Sequence, residues 1–341
     1  MHSNNHLFIF NFEVPPLKRF IKKSFFFILP VLFIIICIEF LLRDIPNDYK
    51  LKKTFLDKYS YNIEILCLGS SHAYYGINPI YFSKKSFNGS HISQSLDYDL
   101  QILKKYQNKL NSLKYILIPI SYGTLYSNLN NGMESWRVKN YALYYNIHTS
   151  NNIKDYSEVL NNDAIVNIER LYSYYIKKKQ EITSSELGFG LNYSSSNQQN
   201  LIKTGITAAK RHTKKDVLLF KGNIDSLRAI IQLSKKNKSV VICFTLPAYH
   251  TYRENLAPDQ LESTVNTISK ISEEYNNVIY KNYMYDKMFI ESDFFDADHL
   301  NEIGAEKLTK LLNILIIDIE KYGLHHSAAL DGDSGAFHYR R

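Results

Sequence analysis

The stretch Leu66–Pro79 reads LCLGSSHAYYGINP, and it continues an apolar run that begins at Ile63. A short apolar run that ends in glycine and serines is typical of a buried parallel strand that passes into a loop. We therefore predict a strand over Ile63–Leu68, with Ser71 at its carboxyl end.

Runs of the same kind recur downstream and alternate with helical patterns. The further predicted strands lie around Phe87, over Tyr115–Ile120 and Val240–Leu246, and near Val278. Helices are predicted over Leu96–Leu110, from an N-cap at Asn223 to Lys236, over Pro258–Tyr275 and from Glu302 onward. This alternation predicts an α/β fold, a three-layer α/β/α doubly wound sandwich with about five parallel strands.

Between Gly123 and Gly222 the alternation stops. Tyrosine-rich helical segments and a polar loop over Ser184–Asn200 take its place. We interpret residues 124–222 as a helical insertion at the carboxyl edge of the sheet, where ligands of such folds bind. Its aromatic side chains have two interpretations, a sugar-stacking surface or, more commonly, ordinary packing. They are Trp136, Tyr141, Tyr144, Tyr145, Tyr172, Tyr174 and Tyr175.

An apolar segment near the N-terminus, Phe25–Leu42, reads FFFILPVLFIIICIEFLL. As a helix it would reach about 27 Å, which is close to the thickness of a bilayer core. A cleaved signal peptide is the alternative, but the run ends in Glu39 to Arg43 and not in small residues, and these two charges can pair. We therefore predict an uncleaved transmembrane signal anchor over residues 24–43.

The flanking charges predict the orientation of this helix. Lys18, Arg19, Lys22 and Lys23 precede it in a tight cluster, whereas the lysines that follow are interspersed with aspartates. Because basic flanks stay inside, we expect a single-pass protein of the inner or plasma membrane with its large domain extracytoplasmic. The predicted division is a basic segment (1–23), the anchor (24–43), a connector (44–62), the α/β domain (63–324) and a disordered tail (325–341).

Composition excludes some classes of protein. The net charge of +8 comes from scattered lysines and is accompanied by no nucleic-acid-binding motif. The three cysteines, Cys37, Cys67 and Cys243, show no metal-ligand spacing. We predict no nucleic-acid partner, no metal and no cofactor.

A second polar stretch, Phe295–Ala305, reads FDADHLNEIGA. A serine hydroxyl becomes a nucleophile when a histidine takes its proton, and the histidine needs an acceptor for its other ring nitrogen. The D-x-x-H spacing lets Asp296 hold His299 while His299 faces Ser71. Each motif alone also fits a turn or a helix cap, but together they predict a catalytic triad. Asp298 is interpreted as a solvated aspartate.

These two stretches resemble the first and last blocks of the SGNH/GDSL hydrolase superfamily. The resemblance covers about Ile63–Ile317 without the insertion. It extends to a membrane-anchored bacterial branch that includes proteins for D-alanylation of teichoic acid and O-acetylation of surface polysaccharides. It implies a flavodoxin-like sandwich, Ser71 as nucleophile, a surface polysaccharide or other O-acylated glycan as partner, and a membrane protein as possible acyl donor.

The chain departs from this family at the oxyanion hole, which usually uses a glycine after the second strand and an asparagine after the third. The corresponding stretches here read FNGSHISQSLDYD (Phe87–Asp99) and IPISYGTLY (Ile118–Tyr126). By position, Ser93 or Gln94 would supply a backbone donor, and Ser121 or Tyr122 would replace the asparagine. His250 is a further candidate for contact with substrate.

The predicted chemistry is transfer of an acyl group through an acyl-serine, either to water or to an alcohol. The enzyme would thus be an esterase or an acyltransferase acting on O-acyl groups, O-acetyl above all. The alternative is a non-catalytic protein that retains the fold to bind or help assemble surface glycans.

Overall fold

The computed structural model describes residues 14–214 and 217–324. They divide into two compact units. The N-terminal unit consists of the chain up to Ile45 together with Ser157–Lys179. The sheet unit consists of Pro46–Tyr156 and the chain from Gln180 onward. The predicted tail, residues 325–341, and most of the predicted basic segment lie outside the described residues.

The helices and strands are labelled in chain order. The helices are α1 (Val14–Asp44), α2 (Asp48–Tyr59), α3 (Ser71–Gly76), α4 (Leu96–Tyr106), α5 (Val138–Asn140), α6 (Glu158–Asn161), α7 (Ala164–Leu171), α8 (Leu201–His212), α9 (Val217–Lys236), α10 (His250–Arg253), α11 (Pro258–Glu274) and α12 (Glu302–Tyr322). The strands are β1 (Ile65–Cys67), β2 (Ser86–Asn88), β3 (Tyr115–Pro119), β4 (Val240–Thr245), β5 (Val278–Asn282), β6 (Phe294–Asp296) and β7 (His299–Leu300).

The sheet unit is built on five parallel strands in the order β2-β1-β3-β4-β5. This is the strand order of doubly wound, flavodoxin-like folds. All five strands lie within two residues of the predicted runs. The predicted α/β fold is therefore confirmed, and the carboxyl end of β1 leads directly to Ser71.

Side-chain alternation along the strands creates two cores, one on each face of the sheet. Leu66, Ile116 and Val241 are in register and face a core that includes residues of α4, α9 and α11. Their neighbours in sequence, such as Leu117, face the second core, which includes residues of α12. Because successive side chains point to opposite faces, fully apolar strands need helices on both sides. This explains the three layers.

One helix boundary is predicted wrongly, and one helix is missed. Asn223 does not begin a helix, since α9 starts at Val217 and the Asn223 side chain is buried, donating to the carbonyls of Leu125 and Ser127 at 2.9 Å. The predicted connector contains α2, whose N-cap Asn47 accepts from the backbone N–H of Lys50 at 3.1 Å. Asn223 therefore led to a wrong helix boundary, whereas the capping role of Asn47 was not predicted.

The predicted insertion is divided between the two units. Tyr141 and Tyr145 are fully buried in the core of the sheet unit, so the packing interpretation holds for these two residues. Tyr172, Tyr174 and Tyr175 belong to the N-terminal unit. In that unit Leu17–Asp44 is the one helix, among the residues described, that is long and apolar enough to cross a membrane.

Candidate active site

The nucleophile candidate follows a turn that only glycine fits. Gly69 has a φ of +119°, and a Cβ there would lie 2.7 Å from Cγ of Pro119. Its N–H donates to Oδ1 of Asp99 at 2.8 Å. Ser71 then begins α3, so its own N–H precedes the first intrahelical bond and has no acceptor within the described chain.

Asp296 and His299 lie on the antiparallel pair β6–β7. Oγ of Ser71 is 2.8 Å from Nε2 of His299, and Nδ1 of His299 is 3.0 Å and 3.2 Å from the two carboxylate oxygens of Asp296. The same carboxylate accepts the backbone N–H groups of Asp298 and His299, at 3.1 Å and 2.8 Å. The structure thus brings the three predicted residues together in one hydrogen-bonded chain.

The hairpin is fixed by Asn301, which follows it. The Asn301 side chain donates to the carbonyls of Ser292 and Phe294 and accepts from the first N–H groups of α12. Because the residue is fully buried, these bonds hold the hairpin and the start of α12 as one piece. The orientation of His299 is therefore set by the strand pair as well as by Asp296.

Aromatic rings enclose the imidazole of His299. His72 stacks on it with ring centroids 4.7 Å apart and planes at 10°. Tyr193 and Tyr75 approach edge-on, with centroids at 5.4 Å and 6.1 Å. His72 therefore packs directly on the ring of His299.

Asp298 is not solvated, contrary to the expectation from sequence. Its side chain is 2% exposed, and Oδ1 lies 3.6 Å from Nδ1 of His299. Oδ2 lies 3.7 Å from Nε2 of His72 and 3.7 Å from Nδ1 of His212, and it has no hydrogen-bond partner among the described residues. The aspartate therefore sits between three histidines with one oxygen unsatisfied.

The carboxylates and the burial around His299 determine the protonation of the three histidines. Burial alone would lower the pKa of His299, but the carboxylates of Asp296 and Asp298 outweigh it and raise that pKa. Burial lowers the pKa of His212 to about 4, despite the attraction of Asp298. Burial also lowers the pKa of His72. The lowered pKa values leave His72 and His212 neutral at neutral pH. The negative charges of Asp296 and Asp298 therefore act mainly on His299.

The cluster can be tested as a metal site. The donor atoms of His72, Asp298 and His299 lie within 4.8 Å of one another. However, both ring nitrogens of His299 already contact Ser71 and Asp296. A metal bound to either ring nitrogen would displace the contact with Ser71 or the contact with Asp296, so the donor set does not fit a resident metal beside this hydrogen-bonded chain.

Ser71 opens onto a cleft of about 580 Å³, a volume in the usual range for small-molecule sites. Polar and apolar groups share its wall, and the residues with a hydroxyl or an amide include Ser93, Ser95, Ser121, Thr124, Ser127, Asn128 and Asn131. Arg211 and Lys214 add two cations on one side. The cleft thus offers many hydrogen-bonding groups to a polar ligand.

Two of the predicted oxyanion and substrate residues face this cleft with donors to offer. Ser93 lines it in a left-handed conformation, with φ +59°; its hydroxyl donates to Glu134 at 3.1 Å, whereas its backbone N–H has no acceptor among the described residues. Ser121 also lines it, and its buried Oγ has no hydrogen-bond partner within the described chain. An unsatisfied buried hydroxyl is costly unless a ligand engages it, so Ser121 stands out as a donor to substrate.

The other three residues do not offer a free group to the cleft. Gln94 lines it, but its backbone N–H donates to His91 and its side chain bonds Asp99 and Tyr141. The Tyr122 hydroxyl is bound to Thr213 and to the N–H of Ala257. His250 is exposed on α10, 3.3 Å from Glu254, and is not among the residues that line the cleft.

Asp99 and His212 were missed from the sequence. Asp99 is fully buried at the cleft, where its Oδ1 also accepts from Gln94 at 2.6 Å, and burial raises its pKa to about 7. His212 ends α8, far along the chain from both motifs. From the sequence, Asp99 could have been identified only as a polar residue within the apolar pattern of α4. No sequence signal identifies His212.

No protein-family model and no curated protein matches the chain. Among solved structures, it is similar to a proposed acylhydrolase from Bacteroides fragilis, with 13% identity, 74% of this chain and 87% of that chain covered, and a TM-score of 0.36. It is also similar to a GDSL-like lipase from Bacteroides thetaiotaomicron, with 14% identity, 81% and 100% coverage, and a TM-score of 0.38.

Proposed function

We propose that this protein is a membrane-anchored serine enzyme of the SGNH/GDSL type that moves O-acyl groups through an acyl-serine at Ser71. The observation that carries the proposal is the hydrogen-bonded chain from Ser71 through His299 to Asp296 at the edge of a cleft. A protein that only bound glycans would have no need of this alignment.

In the first half-reaction, Nε2 of His299 takes the proton of Ser71 as Oγ attacks the ester carbonyl. The negative charge that develops on the carbonyl oxygen needs donors, and the N–H of Ser71 and the hydroxyl of Ser121 are the candidates. When the tetrahedral intermediate collapses, His299 returns the proton to the leaving alkoxide. The product is an ester on Ser71.

In the second half-reaction, His299 takes a proton from water or from an acceptor hydroxyl, whose oxygen attacks the acyl-serine. Collapse expels the Ser71 alkoxide, which regains its proton from His299, and releases an acid or a new ester. Water makes the enzyme an esterase, and a glycan hydroxyl makes it a transferase. The hydroxyl and amide groups of the cleft support a polyhydroxylated partner, such as a surface polysaccharide.

The N-terminal helix supports a location at the membrane. An apolar span preceded by a basic cluster favours an anchor with the sheet unit outside the cytoplasm. Acyl-coenzyme A is not available there, so a transferase would receive its acyl group from a membrane protein. Inverted orientation, measured by protease accessibility of the sheet unit in intact cells, would contradict this placement.

A fluorophosphonate probe tests the proposal, because it labels activated serines. We expect wild-type labelling, no labelling of Ser71→Ala, and strongly reduced labelling of His299→Ala. Ser70→Ala is the matched control, since Ser70 precedes Ser71 and its side chain has one hydrogen-bond partner among the described residues, Nδ1 of His72 at 3.4 Å. A folded wild type that stays unlabelled would favour the glycan-binding alternative.

Cell-surface chemistry separates the two enzyme classes. The O-acyl content of surface glycans is compared between cells with the wild-type protein and cells with Ser71→Ala. Less acylation in the variant indicates a transferase, whereas more acylation indicates an esterase.

A further inference from the structure

The N-terminal unit joins α1 to a segment from elsewhere in the chain, Ser157–Lys179. Near the end of α1, the carboxylate of Glu39 accepts from the hydroxyl of Ser157 at 2.8 Å and from the backbone N–H groups of Glu158 and Val159 at 3.0 Å and 2.9 Å. Arg43 pairs with the same carboxylate at 2.5 Å. Glu39 therefore caps α6, and α1 is built into the fold, which a signal peptide destined for removal would not be.

Several polar groups of this segment turn inward. Glu158 is buried and pairs with Arg170 at 2.7 Å. The hydroxyl of Tyr175 donates to the carbonyl of Leu41 at 3.1 Å and lies 3.2 Å from the carboxylate of Asp44. Hydrogen bonds and ion pairs thus hold the segment against the last turns of α1.

The large apolar side chains of the same segment turn outward. Ile165, Ile168, Tyr172 and Ile176 are 71%, 64%, 49% and 66% exposed, and we refer to these four residues as the apolar stripe. Their spacing of three and four residues places them on one face of α7 and of the helical turn that follows it. A helix in water shows the opposite arrangement, with apolar residues inside.

Three features indicate what covers the stripe. The stripe belongs to the same unit as α1, whose own apolar side chains are exposed, for example Phe33 at 66%. Lys177, Lys178 and Lys179 follow the stripe directly, and long basic side chains reach from an apolar surface to anionic headgroups. Tyr172 lies within the stripe, and tyrosine favours the membrane interface.

We propose that the apolar stripe lies in the headgroup and acyl boundary of the same bilayer that α1 spans, so that lipid is its partner. The inference rests on the membrane anchorage in the proposed function. A helix that binds in this way buries its apolar face about 5–10 Å below the surface. Because both α1 and the apolar stripe would then contact lipid, the rotation of α1 about its own axis would be fixed.

Quenching of tryptophan by brominated lipid tests the proposal on the full chain in vesicles of brominated phosphatidylcholine and phosphatidylglycerol. Trp136 is the only tryptophan, so Trp136→Phe gives a silent background. Three variants are added to it: Phe33→Trp in α1, Ile168→Trp in the stripe, and Ile290→Trp as a control that is 57% exposed in the sheet unit. Ile165→Trp replaces Ile168→Trp if the latter does not fold.

We expect brominated lipid to reduce the fluorescence of Phe33→Trp and of Ile168→Trp by about twofold or more, because both positions lie within the apolar region. The fluorescence of Ile290→Trp should be unchanged. Quenching of Phe33→Trp without quenching of either stripe variant overturns the inference and leaves the anchor intact. Loss of quenching at Phe33→Trp overturns the anchor as well, while fluorophosphonate labelling reports separately on the enzyme.

Discussion

Around His299, the carboxylates of Asp296 and Asp298 approach the same ring nitrogen, at 3.0 Å and 3.6 Å, but their surroundings differ. Asp296 accepts backbone N–H groups as well as the ring and is held in place by them. Asp298 is buried with one oxygen unsatisfied, between two neutral histidines. Asp296 thus orients the ring of His299, and Asp298 acts on that ring by its charge.

The largest expected effect concerns the orienting side. Asp296→Asn keeps the shape of the side chain but removes the acceptor that fixes the tautomer of His299. We expect kcat for a chromogenic acetyl ester to fall by about 10⁴-fold, as for other triads. Asp259→Asn, exposed at the start of α11, is the control. If Asp296→Asn retains most of its activity, Asp298 is the residue that orients the base.

The hydroxyl of Ser121, like one oxygen of Asp298, is buried and has no hydrogen-bond partner among the described residues. If that hydroxyl stabilises the oxyanion, Ser121→Ala should lower kcat by about 100-fold with little change in KM. Ser127→Ala is a matched control, since Ser127 lines the same cleft but its hydroxyl donates to the carbonyl of Gly123 at 2.7 Å. Equal effects of the two substitutions would remove Ser121 from the oxyanion site.

A smaller effect is expected for Asp298, which acts on His299 by its charge. Catalysis requires neutral His299, and Asp298 helps to raise the pKa of that residue. Asp298→Asn removes the attraction, so the acidic limb of the profile of kcat/KM against pH should move down by about one pH unit or more. An unmoved limb would show that Asp298 does not act on the base.

Asp99 gives the smallest effect on rate, because it contacts the turn before Ser71 and not the reacting atoms. Burial raises its pKa to about 7, so its protonated form is favoured in the folded state and stability falls as pH rises from about 4 to 7. Asp99→Asn should remove most of that fall in urea denaturation midpoints measured across this range. A slope that stays as in wild type would show that another group causes it.

The sheet and the meeting of Ser71, His299 and Asp296 were predictable because their signals are local. A parallel strand covered on both faces must be apolar throughout, and D-x-x-H places acceptor and base on one tight hairpin. The surroundings of Asp298 were not predictable, because His72 and His212 reach it from two distant elements. The apolar stripe was also missed, since its residues were considered as part of one insertion and not as partners of α1.

The most direct test of the central claim is the mass of the acyl-enzyme. The full-length protein is mixed with an acetyl ester, quenched in acid within the first turnover, and digested for mass spectrometry. We predict a single added acetyl group on the peptide that contains Ser71, retained in Ser70→Ala and absent from Ser71→Ala. Ester turnover by wild type without this adduct, or unchanged turnover by Ser71→Ala, would contradict the account.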